Sequence, residues 1–291
     1  MAFTLLDETL LKDRLTPPGP GIIDMVLDTD TYNEIDDQFA LCHALLSPER
    51  LNFLAVYAAP FHNGRSSGPA DGMEKSYDEI LRLLAFLGKE SDSFAFRGST
   101  SYMPNAETPV ESDAARHLVE LAMSRTSDKP LYVATIGAPT NVASALVMEP
   151  AIREKIVVVW LGGKDIYWPT AREFNLMQDI PASQILFDSG VPLVVAPCNN
   201  VCSHLITTVH ELKFYLEGKS ELSQYLYEIV CDYQPEQKYG WSKVIWDVAT
   251  TAWLVNPDWM HSHVIPSPIL SDRLTWGSDP TRHPVRVGYH I

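Results

Sequence analysis

The sequence has few basic residues and no run rich in lysine or arginine. Its 291 residues include 22 lysines and arginines against 37 aspartates and glutamates, a formal net charge of −15, and the isoelectric point is near 4.9. Proteins that bind a phosphate backbone or an anionic membrane need a basic patch to neutralise it. The composition therefore disfavours nucleic acids and membrane surfaces, and we expect neither as a partner.

The sequence also lacks a long apolar run and a recognisable leader. No stretch approaches the roughly 20 apolar residues of a membrane-spanning helix. The N-terminal segment MAFTLLDETLLKDRL is acidic and amphipathic, without the basic region and cleavage site of a signal peptide. We therefore expect a cytoplasmic protein.

Cysteine is scarce. The four cysteines, Cys42, Cys198, Cys202 and Cys231, lie mostly in apolar segments, where reduced buried thiols are the usual outcome. Cys198 and Cys202 could form half of a metal site, but no second pair of cysteines or histidines with ligand spacing follows them. We expect neither a zinc site nor a redox centre.

Apolar residues are abundant, at 46% of the chain, and they alternate between short strand-like runs and longer segments of helical period. This alternation is typical of a parallel sheet with crossover helices. The predicted strands cover residues 22–27, 51–58, 131–136, 156–161 and 191–196. The predicted helices cover residues 36–46, 75–87, 113–123, 141–148, 182–189, 211–216, 222–231 and 247–255.

From about residue 203 the pattern changes to helices and loops, with a short β segment around residue 264 and residues 284–290. No glycine- or serine-rich linker interrupts the chain, whose length suits one large domain. The sequence predicts an α/β fold with a mostly parallel, Rossmann-like central sheet flanked by helices, and a helical C-terminal part. We expect residues 1–291 to form a single domain.

The densest polar cluster follows the first predicted strand, at a place where open α/β sheets bind ligands. The segment VLDTDTYNEIDDQFAL holds Asp28, Asp30, Glu34, Asp36 and Asp37 within ten positions. These carboxylates would repel one another unless a positive group lies among them, and a hard cation with oxygen ligands fits. The alternative is an acidic helix start that the helix dipole stabilises. Asp28 and Asp30 argue against it because they are attached to the apolar strand.

Three later segments carry groups that can face the same crevice. In LYVATIGAPTNVASAL a turn follows Ile136 directly, so a main-chain carbonyl there can point into the crevice. Glu173 and Asn175 lie in a polar loop after the fourth predicted strand. Asp247 stands at the head of the apolar helix in IWDVATTAWLVNP, where an N-cap is an equally good explanation.

Taken in this order, the DTD and DD cluster, the TN-containing turn, the EFN segment and the final WD resemble the inosine/uridine-preferring nucleoside hydrolase family. The resemblance covers nearly the whole chain from Ile22 onward. It implies a mostly parallel sheet, a Ca²⁺ cofactor at the bottom of the pocket, and attack of calcium-bound water on the anomeric carbon of a ribonucleoside. It also implies a small-molecule nucleoside as partner and a homodimer or homotetramer.

The resemblance assigns the metal site to four residues. Asp30 matches the general base and a calcium ligand, and Asp37 matches the bidentate calcium ligand. Ile136 takes the place of the main-chain carbonyl ligand, and Asp247 that of the last acidic ligand. Because calcium polarises water less than zinc does, a carboxylate such as Asp30 is needed to accept the proton.

The resemblance also assigns contacts with the sugar. Asp36 matches the carboxylate that holds the ribose 2′-hydroxyl, and Glu173 and Asn175 resemble further ribose-hydroxyl contacts. Asp28 sits in the leading position of the motif and supports the others.

The chain departs from the family pattern in three places. Five residues, 31–35, separate DTD from DD, where the family usually has three. Tyr167 stands where an asparagine that contacts the ribose is expected, so that contact is lost or replaced. Trp246 stands where many members have a histidine thought to protonate the leaving base.

Trp246 is the most informative departure. Purine-specific members look similar at this position and stack an aromatic side chain on the base, so we predict a purine preference with Trp246 as a catalytic and base-binding residue. The alternative is a core residue of the last helix, since aromatic side chains are mostly buried. Tyr233, Tyr239 and Trp241 could supply a second stacking face or an acid if their loop covers the pocket; a plain solvent loop is an equal alternative.

The segment APFHNGRSSG after the second predicted strand adds two candidates. His62 or Asn63 could contact the ribose or the leaving group. A histidine in a loop, however, often has no such role.

Two other functions are left open. An apolar strand followed by Asp-x-Asp also begins the haloacid-dehalogenase-like phosphatases, in which Asp28 would be the nucleophile, Asp30 the acid and Mg²⁺ the cofactor. Tyr32 is not the threonine or valine expected there, and Asp36 and Trp246 stay unexplained. The second alternative is a ribosyl-ligand binder that has kept fold and calcium but lost turnover, which the replacements at positions 167 and 246 suggest.

Overall fold

The structure is a computed structural model that describes residues 3–126, 129–233 and 241–291. In chain order its strands are β1 (Ile23–Thr29), β2 (Leu51–Ala58), β3 (Ala95–Phe96), β4 (Leu131–Thr135), β5 (Ile156–Leu161), β6 (Leu193–Ala196), β7 (Ile206–Thr208), β8 (Ser242–Val244), β9 (His261–Pro266), β10 (Ile269–Leu270), β11 (Trp276–Gly277) and β12 (Pro284–His290). The helices are α1 (Glu8–Leu15), α2 (Asp37–Leu45), α3 (Pro69–Phe86), α4 (Asp113–Met123), α5 (Thr140–Met148), α6 (Phe174–Gln178), α7 (Ile180–Asp188), α8 (Val209–Leu216), α9 (Glu221–Tyr233) and α10 (Val248–Val255).

Eight strands form the central sheet in the order β3-β2-β1-β4-β5-β6-β12-β9. Neighbouring strands are parallel except for β12 and β9, which pair antiparallel. The strand order reverses between β1 and β4, whose register pairs Asp28 with Thr135. At such a switch point the two connections leave toward opposite faces of the sheet and open a crevice at the carboxyl ends of the strands.

Both faces of the sheet are covered by apolar layers. Successive residues of β1 enter opposite layers, because side chains alternate along a strand: Met25 and Leu27 pack in one, and Val26 packs in the other. The first layer includes residues of α2, α3 and α10, and the second includes residues of α4, α5 and α7. With both faces buried, β5 (IVVVWL) is apolar without interruption, as expected for a central parallel strand. The sheet is therefore a rigid platform for the loops at its edge.

The fold class predicted from the sequence is confirmed. The sequence placed the first strand at residues 22–27, whereas β1 continues to Thr29, so Asp28 lies inside the strand. Helix α3 begins at Pro69, six residues before the predicted start. Gly68-Pro69 resembles a loop signal, but proline is well tolerated in the first helical turn because its missing N–H has no partner there. The predicted C-terminal β segments are confirmed, since β9 includes residue 264 and β12 spans Pro284–His290, and both complete the central sheet.

The cysteines are free thiols, as predicted, and Cys42, Cys198 and Cys202 are buried. Within the described ranges, no helix is both long enough and apolar enough to cross a membrane.

Candidate active site

The acidic residues after β1 converge at the switch point of the sheet. Asp28 lies near the end of β1 and Asp30 directly follows it, and both are fully buried. The backbone of β4 is tied to the same point, since the Ile136 amide donates to the Asp28 carbonyl at 2.8 Å. The carboxylates therefore lie in the crevice at the end of the first strand, where the sequence predicted them.

Three carboxylates form a compact cluster beside this point. Asp36, Asp37 and Asp247 each offer an oxygen within 4.8 Å of the others, and all three are buried. Asp36 and Asp247 occupy the N-cap positions of α2 and α10, but in the described structure neither side chain accepts a cap hydrogen bond. Helix capping therefore does not explain these two aspartates.

The electrostatics show that the cluster is short of positive charge. Burial, and then the charge of Asp36, raises the pKa of Asp37 to about 7. The same two causes raise the pKa of Asp247 well above its usual value. The Asp37 and Asp247 side chains are in hydrogen-bonding contact, which two carboxylates tolerate only when they share a proton or a cation.

Asp30 adds the clearest sign of a ligand. Neither of its carboxylate oxygens has a hydrogen-bond partner in another described residue, although both are buried. Burial, followed by the charge of Asp37, raises the pKa of Asp30 well above its usual value. Buried polar atoms are normally paired, so these oxygens fit a cation that they would help to hold. The donors are all oxygen atoms, which suits a hard ion such as Ca²⁺ or Mg²⁺.

Ile136 supplies a main-chain carbonyl at the same place. This carbonyl accepts a hydrogen bond from Asn175 Nδ2 at 3.0 Å, and Ile136 lines the cavity above the cluster. A carbonyl oxygen has two lone pairs, so one is left for a second contact.

Neighbouring groups hold the carboxylates in place. Thr29 Oγ1 donates to Asp37 Oδ1 at 2.5 Å. Burial raises the pKa of Asp28 to about 7, opposed by the hydrogen bond from Asn141 Nδ2 at 2.8 Å. A Cβ at Gly137 would lie 3.0 Å from Asp30 Cγ, so a larger residue there would press on the Asp30 carboxylate.

A cavity of about 330 Å³ opens above the cluster. Six of the residues predicted from the sequence line it: Asp36, Ile136, Glu173, Asn175, Trp246 and Asp247. Asp30 and Asp37 lie deeper, as expected for groups that face a bound ion rather than a substrate.

Glu173 is anchored by the backbone. Its carboxylate accepts from the amides of Gly163 at 2.8 Å, Asn175 at 2.9 Å and Leu176 at 3.1 Å, and so caps α6. Burial raises the pKa of Glu173, and these hydrogen bonds oppose the shift. Asn175 Nδ2 also donates to the Leu161 carbonyl at 3.1 Å, so the ends of β4 and β5 are joined through one side chain.

The position of Trp246 agrees in part with both interpretations, a core residue and a residue of the site. Its side chain is partly buried against the first apolar layer, yet it also lines the cavity. Whether it stacks on a base stays a prediction.

The structure places the other candidates farther away. The Tyr167 side chain is 82% exposed, because the loop after Gly162-Gly163 carries it outward, and it is absent from the lining of the first cavity. Asn63 lines an adjoining cavity and donates to Asn33 Oδ1 at 2.6 Å. His62 is exposed and lies at a third cavity. Tyr239 lies outside the described residues.

The adjoining cavity, of about 690 Å³, shares Asn33, Glu34 and Phe174 with the first. Tyr32, Tyr225 and Tyr233 contribute to its walls, which makes it the more aromatic of the two. Because the two cavities share lining residues, they adjoin, and we refer to them together as the cleft.

Lys243 is a site residue that sequence reasoning missed. It is buried on β8, and its Nζ lies 2.5 Å from Glu34 Oε2 and 3.2 Å from Asp36 Oδ1. Burial alone would lower the pKa of Lys243, but the charges of Asp36 and Glu34 raise it. A signal was present, since Lys243 lies in the same short segment as Trp246 and Asp247 and the acidic cluster needs positive charge.

Comparison with known proteins identifies the family. Residues 25–288 match the sequence model of the family described as "Inosine-uridine preferring nucleoside hydrolase". The chain belongs to this family. The resemblance found in the sequence motifs is thus confirmed, together with the enzyme class, a nucleoside hydrolase of a metal-dependent family. The haloacid-dehalogenase-like alternative is wrong.

Individual nucleoside hydrolases agree with this assignment. The pyrimidine-specific ribonucleoside hydrolase RihA of Enterobacter sp. (strain 638) is 28% identical over 259 residues, which are 80% of this chain and 79% of RihA. The fold is shared with the plant nucleoside hydrolase PpNRh1, at 20% identity and a TM-score of 0.71 over 93% of this chain and 94% of that one. It is also shared with the purine-preferring ribonucleoside hydrolase from Gardnerella vaginalis, at 19% identity and a TM-score of 0.69 over 92% and 93% of the two chains.

Asn141 of the TN-containing turn generates the first testable prediction. Its amide group connects Asp28, the Ala58 carbonyl at 3.1 Å and the Ser99 amide at 2.7 Å, all in the buried interior. Asn141→Ala leaves these groups unpaired and is expected to lower the free energy of unfolding by about 2–4 kcal/mol, as measured by urea titration.

The matched control is Asn52→Ala. Asn52 is exposed, and among the described residues its side chain bonds only the partly exposed Asp24, so a loss below about 1 kcal/mol is expected. Equal losses for the two variants would contradict the role given to Asn141.

Proposed function

We propose that this nucleoside hydrolase cleaves ribonucleosides at a site where Asp30, Asp37, Asp247 and the main-chain carbonyl of Ile136 hold one Ca²⁺ ion, with Asp30 as the general base. The observation that carries the proposal is the pair of unpartnered, buried Asp30 oxygens next to three carboxylates at the floor of a cavity. When bound, the ion would polarise a water molecule and offset the repulsion among the carboxylates.

Asp30 is suited to accept a proton. Neither of its carboxylate oxygens has a hydrogen-bond partner in another described residue, so both stay available to the water and the ion. In the reaction Asp30 takes one proton of the attacking water, whose oxygen bonds to C1′ as the C1′–N bond breaks. The base leaves with the electrons of that bond and takes up a proton.

The sugar is held by groups around the floor. Asp36 is oriented by Lys243 through Oδ1, and we assign the 2′-hydroxyl to its carboxylate. Asn175 and Glu173 are assigned to the remaining ribose hydroxyls. Buried carboxylates close to the sugar also stabilise the positive charge that develops on the ring in an oxocarbenium-like transition state.

The leaving base lies toward the adjoining cavity in this arrangement. We propose a purine preference, because Trp246 lines the first cavity and tyrosines line the second. The name of RihA describes a pyrimidine-specific enzyme, and that of the Gardnerella vaginalis enzyme a purine-preferring one. The comparison of purine with pyrimidine nucleosides as substrates therefore tests this preference.

The direct test is release of free ribose from inosine, guanosine, adenosine, uridine and cytidine. We expect release from at least one nucleoside with Ca²⁺ present, loss of activity in a chelator, and recovery when Ca²⁺ is returned. Asp30→Asn is expected to lower kcat by about 10²–10⁴-fold, whereas Asp92→Asn, a change at an exposed carboxylate outside the cleft, serves as control.

Two outcomes would overturn the proposal in different ways. If no nucleoside releases ribose while calorimetry still detects nucleoside binding, the chain is a ribosyl-ligand binder. If ribose is released equally well in chelator, the reaction does not need the cation.

A separate prediction concerns Trp246. If its ring stacks on the leaving base, Trp246→Ala lowers kcat/KM for purine nucleosides by about 5- to 150-fold, since stacking on one base contributes about 1–3 kcal/mol. The loss for pyrimidine nucleosides should be smaller. Steady-state kinetics on inosine and uridine measure both.

Trp259→Ala is the control, because that tryptophan is 52% exposed and outside the cleft. Equal losses on purine and pyrimidine nucleosides for Trp246→Ala would show that Trp246 is a packing residue.

A further inference from the structure

Two basic residues, Lys164 and Arg172, line the wall of the first cavity. Lys164 follows β5 after Gly162-Gly163, and Arg172 directly precedes Glu173. Basic residues are the minority in this chain, whose net charge is −15. Two of them on one cavity therefore suggest a role in binding an anion.

Neither cation is neutralised by the protein. Across the described ranges, no carboxylate lies within 4.0 Å of the Lys164 ammonium or the Arg172 guanidinium. Lys164 Nζ lies 5.2 Å from the centre of the Trp168 ring, and Arg172 Nη1 has only a weak contact with Met177 Sδ at 3.6 Å. Both retain hydrogen-bond donors for a ligand.

The other charged groups near this wall are already engaged. The Glu173 carboxylate accepts three backbone amides, and Glu34 is paired with Lys243. In the adjoining cavity, Arg65 donates to the Glu34 carbonyl and Arg82 pairs with Glu79. Lys164 and Arg172 are therefore the two basic residues that line the first cavity, and among the described residues neither has a carboxylate partner.

The backbone of both basic residues is anchored. Lys164 forms a backbone bridge with Asn199, which also lines the cavity. Arg172 is attached to the residue that caps α6. Long basic side chains on anchored backbone can reach an anion at the cavity mouth without any rearrangement of the fold.

The stereochemistry of ribose connects this wall with the substrate. The 2′- and 3′-hydroxyls leave one edge of the ring, and the C5′ carbon and the base lie toward the opposite edge. If the hydroxyls sit at Asp36 and the carboxylate floor, C5′ and the base both point toward the mouth. The tyrosine-lined cavity suits the base, which leaves the wall with Lys164 and Arg172 for the substituent on C5′.

We propose that Lys164 and Arg172 bind an anionic group on C5′, so that the enzyme prefers 5′-phosphorylated ribosides such as nucleoside 5′-monophosphates. This inference rests on the proposed function, because it uses the placement of the ribose. Arginine binds phosphate through paired donors and lysine acts as a point charge. Water and the nucleotide give the free base and ribose 5-phosphate: the water oxygen bonds to C1′, the C1′–N bond breaks, one proton goes to Asp30, and the base takes up a proton.

The experiment compares kcat/KM for each nucleoside and its 5′-monophosphate with Ca²⁺ present. We expect the ratio to favour the monophosphate in the wild type. It is expected to fall by about 10- to 100-fold in Lys164→Ala and in Arg172→Gln, since a hydrogen bond to a charged group contributes about 1.5–3 kcal/mol. Arg172→Gln keeps most of the side-chain length, and circular dichroism checks that each variant is folded.

Lys213→Ala is the control, because Lys213 lies on α8 and is 57% exposed, outside the cleft. A wild type that hydrolyses nucleosides but not their 5′-monophosphates, or a ratio that neither variant changes, would overturn the inference and leave the proposed function intact.

If neither kind of substrate is hydrolysed, the proposed function fails and binding decides the inference. Calorimetry with ribose 5-phosphate and ribose should then give at least about tenfold tighter binding of the phosphate, lost in both variants. Equal binding of the two sugars would overturn the inference.

Discussion

The repulsion among buried carboxylates is the constraint on which the site depends. Asp30, Asp36, Asp37 and Asp247 are all buried at the end of the sheet, and removing charges from water costs several kcal/mol for each ion unless they are paired. Lys243 pairs with Asp36, but one ammonium group cannot balance four carboxylates. A divalent cation balances more of the charge and also gives the Asp30 oxygens a partner. We therefore propose that the cluster lowers the stability of the metal-free protein and in return forms a cation site before the ion binds.

The fold provides the rigidity that such a cluster needs. The reversal of strand order between β1 and β4 puts Asp28 and Ile136 side by side, and the helices that follow bring Asp37 and Asp247 in from separate parts of the chain. Asn141 and Gly137 support the cluster from the turn after β4. The carboxylates that we propose as cation ligands therefore belong to segments that only the folded sheet brings together.

Much of this could be predicted from the sequence because the signals are local. Apolar runs marked the central strands, and the aspartates after the first strand marked the crevice. What escaped prediction depends on tertiary contacts. In the sequence Lys243 resembles an ordinary exposed lysine, and only the folded structure shows that it is buried on β8 against Asp36. The pairing of β12 with β6 likewise joins residues nearly a hundred positions apart. The outward position of Tyr167 is set by the path of a loop that has no periodic pattern.

Binding of Ca²⁺ to the metal-free protein tests the central claim most directly. Isothermal titration calorimetry of the wild type and of Asp37→Asn, which removes one charge while keeping the shape of the side chain, measures it. We predict one bound Ca²⁺ per wild-type chain and affinity at least about tenfold weaker in Asp37→Asn, because the variant loses a charged ligand. A wild type that binds no divalent cation, or a variant that binds Ca²⁺ as tightly as the wild type, would contradict it.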